Sequence, residues 1–371
     1  MLSPNKQKYL LINVVPPTVR DEDAEIDLAE TVSLINTLGN GTIVKIIQKK
    51  SHPDPATYVG SGKAEEISHV IDAENIDIVI LSTLAKSTQL FRLTQMYWGI
   101  NPNIKVWDRV DLILNIFAKH ARTAEAKLQI ELAQMRHMGP RMYGLSEELG
   151  RQGGGIGGRG VGETNVELMK RHWREEMKET KKKLDKLSST HQKQIDRRRR
   201  VGFKTVSIIG YTNAGKTTLF NTIAGKAKLA KDVLFATLDS IVAKIYLPKS
   251  RSEVMISDTI GFIRDLPPSL IEAFRSTLME SVNADLLIHV IDATDLHMHE
   301  KIEVVEKILA ELKIENKPIL MVFNKIDLLK KDKLKIIKDQ FPDKNSLFLS
   351  VKDPKSLDKL KAKIEDFIMY L

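Results

Sequence analysis

The stretch Gly-Tyr-Thr-Asn-Ala-Gly-Lys-Thr at residues 210–217 constrains the fold more than any other part of the chain. It is a complete G-x-x-x-x-G-K-[ST] loop. It follows the apolar run KTVSIIG (204–210), which predicts a strand, and leads into TTLFNTIAG (217–225), which predicts a helix. Such a strand, loop and helix cradle phosphate groups on backbone N–H groups at the helix N-terminus, with Lys216 at the β- and γ-phosphates and Thr217 on Mg²⁺. The sequence therefore predicts a nucleotide-binding α/β domain.

A second motif, Asn324-Lys325-Ile326-Asp327, lies downstream of this loop and has the form N-K-x-D. Asp327 would accept hydrogen bonds from the N1–H and the exocyclic amine of guanine, neither of which adenine offers. Asn324 and Lys325 would brace the pocket around the base. Together with the phosphate loop, this motif predicts a GTPase.

Three further segments complete the predicted site. Asp258 and Gly261 form a D-x-x-G motif directly after a predicted strand, so that Asp258 would hold the Mg²⁺ shell and the Gly261 N–H would reach the γ-phosphate. Loss of that phosphate would make the following segment a switch. Within FATLD (235–239), Thr237 would close on Mg²⁺, and the loop Ser350-Val351-Lys352 would touch the guanine O6 through its backbone.

Phe262 follows the D-x-x-G motif, where Ras-like GTPases carry a glutamine that orients the attacking water. An apolar side chain cannot orient water, so we expect the free enzyme to hydrolyse GTP slowly. Either an activator in trans or another local group would then place the water. A regulated GTPase is therefore favoured over a fast metabolic one.

The composition describes an ordinary globular protein of 371 residues, with 42% hydrophobic and 28% charged residues. The absence of Cys excludes disulfides, thiolate zinc sites and a cysteine nucleophile. The N-terminal MLSPNKQK lacks the apolar core of a secretory signal, and no apolar run approaches the length of a membrane span. We expect a soluble, monomeric, cytoplasmic protein without a membrane segment, or one held peripherally at the membrane through a partner.

The pattern along the chain predicts three parts: an N-terminal parallel α/β subdomain (1–119), a long antiparallel helical hairpin (120–200) and a P-loop GTPase domain with a mostly parallel sheet (201–371). The hairpin helices are predicted at 120–138 and 164–196 from apolar residues at three- and four-residue steps.

The hairpin carries two unusual segments. Between Lys170 and Arg200, thirteen basic residues stand against five acidic ones, and the run ends in four arginines, 197–200. Such a cluster indicates either a nucleic-acid contact or a solvated helix face followed by a basic linker. The tip, GRQGGGIGGRGVG (150–162), is compatible with a flexible linker or with a loop that follows an RNA surface, and the location of this tip favours the RNA loop. The glycine spacing also matches a dinucleotide-binding fingerprint, but the preceding strand and the βαβ unit that such a site requires are missing from the pattern here.

With these motifs in place, the chain resembles the HflX family of ribosome-associated GTPases over almost its whole length. The glycine-rich segment followed by Glu-Thr and a long helix is more specific than the GTPase motifs, which many families share. The resemblance rests on RTAEAKLQIELAQM (122–135), GGGIGGRGVGET (153–164), GYTNAGKTTLFN (210–221), FATLD (235–239), DTIGFIRDLP (258–267) and AFRSTL (273–278).

The resemblance implies a protein that binds GTP and GDP and, through its hairpin, the large ribosomal subunit and its RNA near the peptidyl transferase centre. The family helps to separate stalled or idle ribosomes, and the ribosome stimulates its hydrolysis of GTP. The segment after FATLD and Val351 depart from the family pattern, and we expect the C-terminal domain of longer relatives to be absent. The alternatives are a nucleotide-gated RNA-binding module in subunit assembly or sequestration, without splitting, and a signalling switch with a protein partner.

The predicted catalytic groups are Lys216, Thr237 and Gly261, and the predicted ligands of Mg²⁺ are Thr217, Thr237 and Asp258. The predicted nucleotide-binding residues belong to the five segments described above: Gly210, Tyr211, Thr212, Asn213, Ala214, Gly215, Lys216, Thr217, Phe235, Ala236, Thr237, Asp258, Thr259, Ile260, Gly261, Asn324, Lys325, Ile326, Asp327, Ser350, Val351 and Lys352.

Overall fold

The structure is a computed structural model that describes most of the chain. The described residues are 7–39, 41–152, 165–225, 241–264, 266–267, 270–271, 274, 277–341 and 345–369. Within them, every helix is either too short or too polar to cross a membrane. The glycine-rich segment 153–164 and the stretch 226–240 lie outside the described residues, so the predictions made for them stay predictions.

The contacts within the chain divide it into two compact units. The first unit consists of Met1–Lys119 and Ile130–Lys182, and the second of His120–Gln129 and Lys183–Leu371. The predicted three-part division of the chain remains a prediction.

The first unit contains a four-stranded, wholly parallel sheet in the order β2-β1-β3-β4. Strands β1 and β3 are central and almost completely buried, which explains their continuous apolar runs. Its elements are β1 (Lys8–Val15), α1 (Asp21–Leu38), β2 (Thr42–Lys49), α2 (Ser61–Glu74), β3 (Ile78–Leu81), α3 (Ser87–Trp98), β4 (Lys105–Trp107) and α4 (Arg109–His120).

Two long helices follow, α5 (Ala124–Gln152) and α6 (Asn165–Arg200). In the first unit the Trp173 indole donates to the Met135 carbonyl at 3.3 Å, and in the second the Ser188 hydroxyl donates to Glu125 at 3.1 Å. Residues later in α6 thus contact residues earlier in α5, so the two helices run in opposite directions, as the predicted antiparallel hairpin requires.

The predicted bounds of the first hairpin helix were wrong at both ends. The chain forms a separate helix, α4, up to His120 and then restarts at Ala124. Thr123 ends the gap because its hydroxyl accepts a hydrogen bond from the Ala126 N–H at 3.2 Å, which caps the new helix. The helix also continues past 138 as far as Gln152.

A buried charged cluster joins α4 to α5 within the first unit. Asp108 and Asp111 cap α4 reciprocally, since each carboxylate accepts from the other's backbone N–H, at 2.9 and 3.1 Å. From α5, Arg141 binds Asp111 at 2.6 Å and His137 lies 3.1 Å from Asp108. Two carboxylates this deeply buried need such partners, so the cluster fixes the hairpin helix to α4.

The second unit contains a six-stranded sheet that is parallel except for one edge strand. Its further elements are β5 (Thr205–Gly210), α7 (Lys216–Ile223), β6 (Ile241–Leu247), β7 (Ser252–Asp258), α8 (Met279–Asn283), β8 (Leu286–Asp292), α9 (Met298–Glu311), β9 (Ile319–Asn324), a 3₁₀ turn (Ile326–Leu328), α10 (Lys331–Gln340), β10 (Ser346–Phe348) and α11 (Pro354–Met369). The antiparallel strand β6 is absent from the sequence-based prediction.

The strand order β10-β9-β8-β5-β7-β6 explains where a ligand can bind. Strand β5 lies between β8 and β7, and the chain leaves β5 towards β7 before it crosses back to β8. In an open parallel sheet, the crevice at such a change of direction lies outside the carboxyl ends of the strands. The predicted phosphate loop begins at this point, where β5 ends.

The predicted fold class, a parallel α/β region, a helical hairpin and a P-loop GTPase domain, is confirmed.

The basic run 197–200 forms the last turn of α6, not a separate linker. Arg198 binds the Glu280 carboxylate, and Arg199 donates to the Asn283 carbonyl at 2.8 Å. Two of the four arginines therefore help to attach α6 to α8, in addition to any role in binding nucleic acid.

Candidate functional site

The predicted phosphate loop has the backbone that its glycines require. Gly210 and Gly215 have φ angles of +142° and +95°, in the region that favours glycine. A Cβ on Gly210 would lie 2.3 Å from the Val290 carbonyl oxygen, and a Cβ on Gly215 would lie 2.3 Å from the Asn324 side-chain nitrogen. The loop thus passes directly against β8 and β9, and it ends where α7 directs its N-terminal N–H groups outward.

Lys216 is enclosed by this loop. Its side chain is buried, and its ammonium donates to the Tyr211 carbonyl at 2.6 Å. Burial lowers the pKa of Lys216 to about 8, although the nearby Asp258 carboxylate opposes the shift. An ammonium held in this way gains strongly from an anionic ligand, because the anion compensates the cost of burying the charge.

The D-x-x-G segment meets the phosphate loop at this lysine. Asp258 is fully buried at the end of β7, and the Thr259 hydroxyl donates to the Ile208 carbonyl at 2.7 Å. A Cβ on Gly261 would lie 2.8 Å from the Thr212 methyl group and 3.0 Å from the Lys216 ammonium, so the glycine lets the segment lie close against the phosphate loop. The structure thus brings together Lys216, Asp258 and Gly261, which are far apart in sequence.

Phe262 packs inward and is tied to the loop through its backbone. Its N–H donates to the Gly210 carbonyl at 3.1 Å, and its carbonyl accepts from the Thr212 N–H at 2.8 Å. The ring is 1% exposed. The Arg264 N–H donates to the Tyr211 hydroxyl at 2.8 Å, which adds a third link. The side chain that replaces the usual glutamine therefore belongs to the core.

On the guanine side, Asn324 connects two loops. Its amide nitrogen donates to the Ala214 carbonyl at 2.9 Å, and its amide oxygen accepts from the Val351 N–H at 3.2 Å. Asn324 thereby braces the phosphate loop against the segment 350–352. Asp327, in the 3₁₀ turn, lies 3.8 Å from the Lys352 ammonium.

These residues surround a cleft of about 310 Å³, within the size range of small-molecule sites. The lining residues are Asn213, Gly215, Thr218, Asn324, Lys325, Asp327, Leu328, Ser350, Val351 and Lys352. Of the other predicted residues, Ile260 is buried beside the loop, and Ile326 packs against the core beneath the cleft. Phe235, Ala236 and Thr237 lie outside the described residues.

Asp292 is a site residue that sequence reasoning missed. It ends β8, and its carboxylate binds the Lys325 ammonium at 2.7 Å while accepting from the Thr294 N–H and hydroxyl. Lys325 has a φ of +64°, so this ion pair holds a residue in the left-handed region. The sequence did contain a signal for this residue, because Asp292 lies at the end of a buried strand just as Asp258 does.

His289 on β8 is buried close to this site. Burial and the neighbouring Lys216 charge lower the pKa of His289 to about 3, so the imidazole is neutral at physiological pH. It therefore adds no positive charge next to the phosphate loop.

Thr217 and Asp258 are the described residues that would hold a magnesium ion. A hydroxyl and a carboxylate are the hard oxygen ligands that Mg²⁺ prefers, and Asp258 is buried next to the loop that would receive the phosphates. The donor set therefore fits this metal.

Three family descriptions match successive parts of the chain: "GTP-binding GTPase N-terminal" (residues 25–118), "GTP-binding GTPase Middle Region" (120–198) and "50S ribosome-binding GTPase" (205–325). The GTPase HflX of Caldanaerobacter subterraneus is 41% identical over 98% of this chain and 81% of its own length. The chain belongs to the HflX family. The GTPase HflX of Escherichia coli is 38% identical over 92% of this chain and 78% of its own length.

Among solved structures, this HflX-family chain is similar to the complex of SsGBP with GDP. The TM-score is 0.54 at 26% identity, and the match covers 97% of this chain and 98% of the other. Membership of the HflX family makes this chain a GTPase and implies the magnesium dependence typical of such enzymes.

Proposed function

We propose that this HflX-family GTPase binds the large ribosomal subunit and promotes the splitting of stalled or idle ribosomes. The description matched by residues 205–325, "50S ribosome-binding GTPase", supports the partner. The observation that carries the nucleotide chemistry is the meeting of Lys216, Asp258 and Gly261 around one buried ammonium.

The phosphate loop would receive the β- and γ-phosphates of GTP on its backbone N–H groups and on Lys216. Phosphate oxygens would replace the Tyr211 carbonyl as acceptors for the ammonium, and their charge would raise the pKa of Lys216 again. The lysine would then stay protonated and stabilise the charge that develops on the transferred phosphoryl group.

Thr217, Thr237 and Asp258 would hold Mg²⁺, which would neutralise part of the phosphate charge. The Gly261 N–H would contact the γ-phosphate. Because Phe262 is hydrogen-bonded to Gly210 and Thr212, any movement of Gly261 towards the phosphate would strain these links. The segment after Asp258 would therefore sense whether the γ-phosphate is present.

Hydrolysis by the free protein is expected to be slow. The Phe262 side chain is apolar and lies in the core, so it cannot orient an attacking water. We infer that the water is positioned when the ribosome binds, either by a group from the ribosome or by a residue of this chain that the ribosome moves.

Guanine selectivity would come from Asp327, whose carboxylate accepts two hydrogen bonds from the base. Asn324 holds the Val351 N–H in the wall of the cleft, and the segment 350–352, which also lines the cleft, would present backbone groups to the base.

The experiment that tests this function compares GTP hydrolysis by the protein alone, with purified large subunits and with small subunits. We expect strong stimulation by the large subunit only, and turnover at background in Lys216→Ala. Equal rates with and without large subunits, in a protein that binds GTP tightly, would refute the proposed partner. Unchanged turnover in Lys216→Ala would refute the assignment of the phosphate site.

A second measurement separates splitting from mere binding. Intact ribosomes are incubated with the protein and a non-hydrolysable GTP analogue, and the free subunits are quantified by sedimentation. A splitting factor releases subunits, whereas a nucleotide-gated binding module for assembly or sequestration leaves intact ribosomes intact.

A further inference from the structure

An imidazole on α6 lies between two carboxylates that come from two other helices. The His191 ring contacts Glu280, at the start of α8, at 3.2 Å and Glu125, in the first turn of α5, at 3.6 Å. The Ser188 hydroxyl donates to the same Glu125 carboxylate at 3.1 Å. All these residues belong to the second unit. One side chain thus connects both hairpin helices to the GTPase region.

The cluster is well shielded from water. The Glu280 side chain is 3% exposed and that of His191 is 20% exposed. Arg198 adds a second cation to Glu280. The two carboxylates, Glu125 first and Glu280 second, raise the pKa of His191 to about 9, so the ring carries a charge at physiological pH. Without that charge, the attraction that holds the His191 ring against both carboxylates would be lost.

Helix α8 also contacts the strand that carries the phosphate loop. The hydroxyls of Ser281 and Ser207 are 2.9 Å apart, and Ser207 lies on β5 three residues before Gly210. Just after α8, the Asp285 carboxylate accepts from the Thr205 N–H at 2.7 Å. In sequence, α8 follows the D-x-x-G segment and leads into β8. It is therefore held by β5 on one side and by α6 on the other.

We propose that His191 is a positioning residue that couples the nucleotide site to the helical hairpin. A change in the segment that follows Asp258 reaches α8, and the charged imidazole makes α5 and α6 follow α8. This inference extends the proposed function, because a ribosome held by the hairpin could act on hydrolysis through the same contact in the opposite direction.

The test is hydrogen exchange of the full-length protein, without ribosomes, in GDP and in a non-hydrolysable GTP analogue. For the wild type we expect exchange in residues 184–200 and 279–284 to depend on the nucleotide. In His191→Gln this dependence should disappear, and exchange in both nucleotides should rise by about tenfold. His172→Gln is the matched control, since His172 is an exposed histidine on the same helix. It should behave like the wild type.

A second variant distinguishes coupling from a general loss of structure. If His191→Gln acts by leaving two carboxylates face to face, the added change Glu125→Gln removes one of the charges and should restore part of the nucleotide dependence. Wild-type nucleotide dependence in His191→Gln, absence of such dependence in the wild type, or failure of Glu125→Gln to restore any of it would overturn the proposal.

Ribosome assays complete the test. In His191→Gln, basal hydrolysis should match the wild type within about twofold while stimulation by large subunits falls by about tenfold. Full stimulation in this variant would refute the coupling. If large subunits do not stimulate the wild type, the proposed partner fails, and the exchange experiment still decides the role of His191.

Discussion

Two glycines of the second unit can be compared to measure how much free energy of unfolding is lost when a Cβ crowds the phosphate loop. Gly202 and Gly215 have similar φ angles, +89° and +95°. A Cβ on Gly202 would meet nothing within 4 Å, whereas a Cβ on Gly215 would lie 2.3 Å from the Asn324 side-chain nitrogen. Substitution by Ala therefore places Ala at a positive φ in both positions but causes a collision at only one.

The expected free energies follow from these contacts. A left-handed backbone costs Ala about 1–2 kcal/mol, which is the whole expected effect of Gly202→Ala. In Gly215→Ala the Asn324 amide must move, and it is held at both ends by hydrogen bonds to Ala214 and Val351. Losing two hydrogen bonds and overpacking the loop adds about 2–3 kcal/mol, so we expect a total of about 3–5 kcal/mol.

The assay is urea denaturation followed by far-UV circular dichroism. All three tryptophans, Trp98, Trp107 and Trp173, belong to the first unit, so their fluorescence shows whether that unit is left unchanged. GTP affinity, measured with a fluorescent analogue, should fall by more than tenfold in Gly215→Ala, because Asn324 braces the guanine cleft, and should be unchanged in Gly202→Ala. Equal destabilisation of the two variants would refute the reasoning.

Three further predictions follow from single side chains. Asp327→Asn should weaken the binding of GTP and allow xanthosine triphosphate to bind, because the amide can donate to the xanthine O2. Unchanged GTP affinity would show that the guanine pocket lies elsewhere. Asp292→Asn should release Lys325 and weaken GTP and GDP alike, by about threefold to tenfold in equilibrium titrations, so an effect on only one nucleotide would count against a role in base binding. The folded pKa of His191, about 9, exceeds the ordinary value of 6.5, so its ion pairs should stabilise the wild type relative to His191→Gln fully below pH 6.5, progressively less up to about pH 9, and not above it. The full difference in the free energy of unfolding should be about 1–3 kcal/mol by urea denaturation. A difference that does not depend on pH would exclude a role for the charge.

The phosphate loop and its flanking elements could be predicted because the motif specifies backbone as well as chemistry. Gly210 and Gly215 must adopt positive φ, and the apolar run before them must be a central strand. Central strands such as β1, β3, β5 and β8 are predictable for the same reason, since buried parallel strands are continuously apolar. The D-x-x-G and N-K-x-D motifs each follow such a strand, so their convergence at one edge of the sheet could be expected.

Strand β6 escaped prediction because it is an edge strand with only one partner. Ile241 and Tyr246 are exposed while Ile245 and Leu247 are buried, so its pattern is neither continuous nor cleanly alternating. Helix α4 was missed for the opposite reason. Val110, Ile113, Leu114 and Phe117 recur at helical spacing, but Leu112 and Ile116 are also apolar and buried, so the run resembles the continuous apolar stretch of a buried strand.

The cluster around His191 could not be predicted from sequence at all. Glu125, His191 and Glu280 are separated by scores of residues, and each alone reads as a solvated charge on a polar helix. Only the packing of α6 against α8 makes Glu280 a buried carboxylate that requires two cations. The arginines of the basic run illustrate the same limit, because their number predicts a partner but not which one.

Strand β5 and the loop that follows it contact the segment after Asp258, helix α8 and the guanine cleft. At its carboxyl end, Gly210 accepts a hydrogen bond from Phe262, which ties it to the segment that would sense the γ-phosphate. In its middle, Ser207 contacts α8, which the charged His191 connects to the hairpin. The loop that follows β5 is braced by Asn324 against the guanine cleft. Because β5 is buried and paired on both sides, it cannot deform locally to absorb a change at one of these contacts. We therefore expect a displacement at the γ-phosphate to reach α8 through β5. For this reason we expect the effect of His191→Gln to appear in nucleotide-dependent exchange and in stimulation by the ribosome, and not in basal hydrolysis.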